Sequence, residues 1–219
     1  ETDRLTITSV DKIINNISAT IIDNGYLSIS DQKRLLTTRT FFKKKNFILI
    51  DRDGVLNLKN KNFRYVRNLS ELKFNEVIIS ILKKYPNMKY ICISNQAGIA
   101  TGEVKEIELK KINKAIQNYL KSKNIKLVDF FVSRDNFKSK SYLRKPNPGL
   151  FFKAAQKYKI LLDKTFYIGD DPRDVLASYN ANTKCVYIGK KNQLDFISDY
   201  DIKNTILKNL NNSIKHKKL

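Results

Sequence analysis

The 219 residues, 42% of them hydrophobic, suffice for one domain of ordinary size with a core of its own, and the scarcity of Gly (7) and Pro (4) excludes a disordered or collagen-like chain. Lys and Arg outnumber Asp and Glu by 42 to 21, and the net charge of +21 favours an anionic partner, be it nucleic acid, phosphorylated metabolite or membrane surface, unless it only reflects lysine spread over every solvated face. Cys92 and Cys185 lie in apolar runs and read as buried thiols, no apolar run approaches the roughly 20 residues of a membrane helix, and no signal peptide is visible, so a cytoplasmic chain is the expectation.

Residues 1–46 form one unit. Val10, Ile13, Ile14, Ile17, Ile21 and Ile22 recur at helical spacing, Gly25 offers a stop, and a second helical stretch around 31–40 ends in the basic run Lys43–Lys45. The unit reads as a helical N-terminal extension. It could be the tail of an upstream domain, since the chain begins with Glu1 rather than Met, a dimerisation element, or a helical pair packed on the main domain. The main domain is expected over 47–219. Its apolar runs are Phe47–Ile50, Tyr90–Ile93, Leu127–Val132, Thr165–Ile168 and Lys184–Ile188. Helical patterns lie between them, near 70–85, 104–123, 148–159 and 172–180, with a last one near 201–213. Strands that are apolar throughout and alternate with helices predict an α/β fold, a mainly parallel sheet with helices on both faces. Ligands in such sheets bind beyond the C-terminal ends of the strands. The only histidine, His216, falls in a Lys-rich tail.

Polar residues gather at those strand exits. The first strand runs into Asp51-Arg52-Asp53-Gly54-Val55-Leu56-Asn57, the second into Ser94-Asn95-Gln96-Ala97-Gly98-Ile99, and the fourth into Gly169-Asp170-Asp171-Pro172-Arg173-Asp174. Arg144-Lys145-Pro146-Asn147-Pro148-Gly149 lies between the third and fourth. Gly54, Gly98, Gly102, Gly149 and Gly169 fall in or beside these segments, where backbone must turn sharply or approach a ligand. Taken singly, each segment has a bland reading: Asp-x-Asp-Gly as a turn, Ser-Asn-Gln as a helix cap, Gly-Asp-Asp-Pro as a capped helix start, Lys145 as a surface lysine. Together they bring Asp51, Asp53, Asp170 and Asp174 toward one sheet edge, where clustered carboxylates repel one another unless a cation sits among them. Oxygen ligands without histidine favour Mg²⁺. Lys145 can neutralise a transferring phosphoryl group, Ser94 and nearby N–H groups can bind its oxygens, one carboxylate can attack phosphorus, and another can move the proton.

In this order the segments resemble the motifs of the haloacid-dehalogenase (HAD) phosphatases, over about residues 47–190. The resemblance implies a Rossmann-like fold with a minimal cap or none. It implies Asp51 as nucleophile and Asp53 as general acid/base, whose backbone carbonyl also binds the metal. Ser94 would bind phosphate, Lys145 would be the catalytic lysine, and Asp170 a metal ligand with Asp51 and Asp53. Asp174 would support the metal site from behind, and Asp171 has no firm counterpart. Asp51–Asn57, Tyr65-Val66, Phe74 and Ser94–Gly102 are similar to the heptose-bisphosphate and histidinol-phosphate phosphatase branch, with Ser94 and Thr101 as small departures. Arg144-Lys145-Pro146 fits that branch too, with Arg144, Asn95 and Gln96 as substrate-binding candidates.

One departure is larger. Many members of the branch carry a zinc loop of three Cys and one His before Arg-Lys-Pro, whereas residues 133–143 contain neither residue type. No zinc is therefore expected, and the loop must be held in another way. The reading is a Mg²⁺-dependent phosphatase for a small phosphorylated metabolite, with heptose 1,7-bisphosphate as the leading substrate. The alternatives are a polynucleotide 3′-phosphatase, favoured by Tyr142-Leu143-Arg144-Lys145-Pro146 and the +21 charge, and a basic binding module without activity.

Overall fold

The structure is a computed structural model that describes residues 46–60 and 65–189, together with the backbone of 20–22 and 25–27. Strands β1 (Thr20–Ile22) and β2 (Gly25–Leu27) pair antiparallel, with Ile21 opposite Tyr26. This corrects the helical reading of Ile21 and Ile22 and of Gly25 as a helix stop. A run of β-branched residues loses side-chain freedom in a helix and fits a pleated strand better. The rest of the N-terminal extension, the 201–213 helix and the basic tail lie outside the described residues.

Among the described residues, five strands form one parallel sheet: β3 (Phe47–Ile50), β4 (Lys89–Asn95), β5 (Lys126–Ser133), β6 (Phe166–Gly169) and β7 (Lys184–Tyr187), in the order β5-β4-β3-β6-β7. Helices α1 (Glu76–Lys83), α2 (Glu106–Ser122), α3 (Gly149–Tyr158) and α4 (Pro172–Asn180) connect them. The period-2 alternation of the strands splits the core into two layers. Ile50, Tyr90 and Cys92 pack with Ile79 and Leu82 of α1 and Ile112, Ile116 and Leu120 of α2. Leu49, Ile91, Ile93 and Tyr167 pack with Leu150, Phe151 and Ala154 of α3 and Ala177 of α4. Each fully buried Ile, Leu or Phe contributes roughly 1.5–3 kcal/mol by leaving water. Among the described residues no helix is long and apolar enough to cross a membrane.

The strand order positions the site. From β3 the chain winds outward through β4 and β5, then returns to the other side of β3 with β6 and β7. Connections diverge on either side of β3 and leave a crevice at its C-terminal end. Asp51 lies there, and its backbone N–H extends the ladder to the Ile168 carbonyl at 2.8 Å. The 51–75 connection folds back on itself: the Asn75 N–H donates to Leu56 O, the Leu58 N–H donates to Lys73 O, and Phe74 stacks on Tyr119 of α2 at 3.8 Å. Its described residues form no cap domain.

Candidate active site

A cavity of about 310 Å³ opens at this crevice, lined among others by Asp51, Asp53, Ser94, Asn95, Arg144, Lys145, Asp170 and Asp174. Residues from strand exits far apart in sequence thus meet in one place. Of the catalytic, metal-binding and substrate-binding candidates expected from the sequence, Gln96 alone is not in its lining.

Lys145 is the hub. It reaches in from the loop before α3, and its side chain is only 3% exposed. Its Nζ lies 2.9 Å from Asp51 Oδ1 and 2.7 Å from Asp174 Oδ1, and donates to Ile93 O (3.0 Å) and to the Tyr167 hydroxyl (2.8 Å). Burial alone would lower its pKa, but the charges of Asp174 and Asp51 outweigh that and hold it well above the usual lysine range. Its main chain is clamped by Asn95, whose side chain accepts from Lys145 N–H and donates to Lys145 O, both at 3.0 Å. Asn95 therefore spends its amide on placing the lysine.

Asp174 is the anchor opposite. Its Oδ1 accepts from Tyr167 OH (3.0 Å) as well as facing Lys145. Its Oδ2 accepts from the backbone N–H groups of Asp170 and Asp171, both at 3.1 Å. Asp171, without a role in the sequence reading, is the N-cap of α4, with Asp174 closing the capping box and Pro172 in the first turn. Arg173 pairs with Asp171 at 2.8 Å and, against the upward push of burial, brings it down to about 2. The reading of Gly-Asp-Asp-Pro as a capped helix start is fulfilled, and the same cap fixes Asp174 beside Lys145.

Oxygen atoms of Asp51, Asp170 and Asp174 all lie within 4.8 Å of one another. Burial, with the Asp174 charge beside it, raises Asp51 to about 7 despite the neighbouring Lys145. Burial likewise raises Asp170, opposed by Lys59 and assisted by Asp174. Asp170 Oδ1 is buried without a hydrogen bond, and so is Asp51 Oδ1, whose contact with Lys145 is a close ion pair off the hydrogen-bonding direction. The orphaned Asp170 oxygen beside the Asp51 carboxylate, in a set without Cys or His, fits a hard divalent cation such as Mg²⁺. Asp174, by contrast, already has both oxygens engaged. The Gly54 backbone, at φ +92°, passes so close that a Cβ there would lie 2.2 Å from Asp170 Oδ2.

Asp53 faces a separate cradle. Its carboxylate pairs with Arg52 (2.9 Å) and accepts from Asn57 (2.9 Å) and Gln96 (2.6 Å). Burial pushes its pKa up, but the Arg52 charge and these bonds win and hold it below the usual carboxylate range. Gln96 is buried behind Asp53, where it also donates to Ser94 Oγ (2.9 Å) and accepts from Arg52 (2.8 Å). Its placement is that of a support for Asp53 and Ser94, not of a substrate contact. Arg52, itself fully buried, also bonds Asn113 of α2 at 3.2 Å.

Sequence reasoning passed over Arg52, Asn57, Lys59, Tyr167 and Arg173. Arg52 and Asn57 sat inside the Asp51–Asn57 segment, and a charged residue between two aspartates at a buried strand exit was the available signal. Tyr167 reads as an ordinary core aromatic, and nothing local marks its hydroxyl. The loop at 133–143 is held by its own polar groups. Asp135 accepts from Ser133 and Ser141 hydroxyls, Arg144 donates to Asp135 O (3.3 Å), and Asn147 donates to Ser141 O (2.9 Å).

Known proteins match this sequence and fold. The family model of the haloacid dehalogenase-like hydrolases matches residues 38–188. The D-glycero-α-D-manno-heptose-1,7-bisphosphate 7-phosphatase of Photorhabdus laumondii is 30% identical over 155 residues, covering 64% of this chain and 80% of that protein. A D-glycero-β-D-manno-heptose-1,7-bisphosphate 7-phosphatase of Helicobacter pylori is 30% identical over 140 residues, covering 63% and 79%. The crystal structure of the D,D-heptose 1,7-bisphosphate phosphatase from B. bronchiseptica, complexed with magnesium and phosphate, superposes with a TM-score of 0.64 at 21% identity, over 76% of this chain and 99% of that one. The chain belongs to the haloacid dehalogenase-like hydrolases and is a phosphatase of the branch that holds the heptose-bisphosphate enzymes.

Proposed function

We propose that this protein is a Mg²⁺-dependent phosphomonoester hydrolase that works through an aspartyl phosphate on Asp51 and acts on a small phosphorylated sugar, with heptose 1,7-bisphosphate the leading substrate. The observation that carries the reading is the buried Asp51 carboxylate, 2.9 Å from Lys145, opening on a cavity with Asp53 two residues away. Asp51 attacks phosphorus, the bond to the leaving oxygen breaks, and Asp53 delivers its proton to that oxygen. Water then attacks the phosphoryl group and gives a proton to Asp53, the bond to Asp51 breaks, and inorganic phosphate leaves. Lys145, Ser94 and Arg144 face the phosphoryl oxygens as their charge redistributes. Asp53 is a carboxylate in the free enzyme, the form that accepts the proton of water. The negative charge of an arriving phosphate beside it raises its pKa toward the protonated form needed first. Asp51, Asp170 and the Asp53 carbonyl would hold Mg²⁺, which neutralises their repulsion and polarises the phosphoryl oxygens.

The test is phosphate release from heptose 1,7-bisphosphate with Mg²⁺ by wild type and Asp51→Asn, with trapping of an acid-stable, base-labile phosphoenzyme. Asp51→Asn keeps the shape and removes the attacking charge. Retention of more than about a tenth of the wild-type rate, far above what loss of a nucleophile leaves, would rule out the assignment.

A further inference from the structure

Lys59 sits in the 54–60 loop, and its side chain is 53% exposed. It lines the same cavity as Asp51 and pairs with Asp170 Oδ2 at 2.6 Å. Asp170 is the carboxylate whose other oxygen is buried and orphaned beside Asp51. An ammonium thus rests on an oxygen of the set that fits a divalent cation, and the two positive charges cannot share it without strong repulsion. The other described cations on the cavity wall have partners that stay. Lys145 keeps Asp174 and the Ile93 carbonyl even where a cation takes Asp51, Arg173 keeps Asp171, and Arg144 donates to the Asp135 carbonyl. Lys59 alone among them depends on a carboxylate that a bound cation would claim, and its flexible, half-exposed stem lets it turn into the cavity mouth.

We infer that Lys59 is a specificity-determining residue that exchanges partners: it neutralises Asp170 in the free enzyme, and when a divalent cation takes Asp170 it meets a second anionic group of the substrate, the one that is not transferred. The inference rests on the proposed phosphatase reading and deepens it, since it selects bisphosphates over monophosphates of the same sugar. In the exchange no covalent bond changes.

Two measurements on wild type and Lys59→Gln decide it, after thermal unfolding shows that both are folded. The first is calorimetric titration with Mg²⁺ alone. Losing a half-exposed competitor is expected to tighten Mg²⁺ binding roughly three- to tenfold. The second is inhibition of p-nitrophenyl phosphate hydrolysis by heptose 1,7-bisphosphate and by heptose 7-phosphate. Wild type is expected to bind the bisphosphate roughly tenfold more tightly, and Lys59→Gln to narrow that ratio to within about threefold, as one charge-assisted contact is lost. Unchanged Mg²⁺ affinity, or an unchanged ratio of the two inhibition constants, overturns the inference. Inhibition is read whether or not either sugar is hydrolysed, so failure of the bisphosphate to release phosphate would count against the proposed substrate and not against Lys59.

Discussion

Replacing Gly54 by Ala tests the placement of the Asp170 carboxylate, the metal ligand proposed above, with a single methyl group. At Gly54 a Cβ would stand 2.2 Å from Asp170 Oδ2 and 2.5 Å from its Cγ, where ordinary contact begins at 3.4 Å. The carboxylate must retreat by about 1 Å, and a displacement of that size at a reacting site costs on the order of 10²-fold in rate. The backbone adds its own penalty, because φ of +92° is strained for any L side chain, by about 1–2 kcal/mol. Gly102 is an internal control: its φ is +75°, and nothing lies within 4 Å of its Cβ position. Gly102→Ala should therefore lose similar stability with little loss of rate. The assays are urea unfolding, Mg²⁺ titration, and kcat/KM on p-nitrophenyl phosphate for both variants. The expected result is a roughly 100-fold loss in kcat/KM with weakened Mg²⁺ binding for Gly54→Ala alone. If Gly54→Ala folded and matched Gly102→Ala in rate and metal affinity, the placement of Asp170 against the Gly54 turn would be refuted.

Other outcomes follow from the same network. Asp174→Ala should destabilise the fold by about 3–5 kcal/mol, because it removes one of the two carboxylates facing the buried Lys145 ammonium and the acceptor of the Asp170 and Asp171 N–H groups, whereas replacing Asp170, whose partner Lys59 is half exposed, by Ala should cost under about 1 kcal/mol yet abolish turnover; equal losses in urea unfolding would contradict this. Mg²⁺ affinity should rise with pH and level off near 7, since Asp51, raised to about 7 by burial, must shed its proton to take a cation. Calorimetry should show a slope approaching about one decade per pH unit below that point, and a flat profile between pH 5 and 7 would contradict it. Purified protein should hold no stoichiometric zinc after dialysis, because the 133–143 loop has neither Cys nor His to ligate it; zinc that persists in elemental analysis would contradict this.

Periodicity located the sheet because its strands are buried on both faces: the apolar runs at 47–50, 90–93, 127–132, 165–168 and 184–188 became β3 to β7 with shifts of a residue or so. The helix expected over 70–85 begins only at Glu76. Residues 69–71 form a separate 3₁₀ turn capped by Asn68, and Asn75 caps α1 itself. Spacing also assembled Asp51, Ser94, Lys145, Asp170 and Asp174, since a strand exit fixes where its next residues point. Direction within the site was less accessible. Gln96 follows two cavity residues yet turns beneath Asp53, because the buried Arg52 needs a neutral acceptor there, and that need arises only from packing against α2. Lys59 looked like any lysine of a basic chain, and its meeting with Asp170 crosses more than a hundred residues of sequence.

The same geometry bears on the charge of the chain. A net +21 invites a nucleic-acid substrate, but the charge at the cavity is of another kind. Five aspartates, Asp51, Asp53, Asp170, Asp171 and Asp174, line it beside four cations, and each of those cations has a described partner. A strand of nucleic acid needs a basic track over successive phosphates and aromatic faces for its bases. Of the described aromatic residues in the flanking loops, Tyr65 lines the cavity but is buried against Gly98, and Tyr142 stacks on Phe152 at 6.4 Å between ring centres. Phe137 is exposed but carries Lys138 over its ring and lies outside the cavity lining. Among the described residues the pocket is thus compact and nearly balanced in charge. Such a pocket discriminates by where a second charge can sit, which is the role assigned to Lys59, and not by how many phosphates run past it.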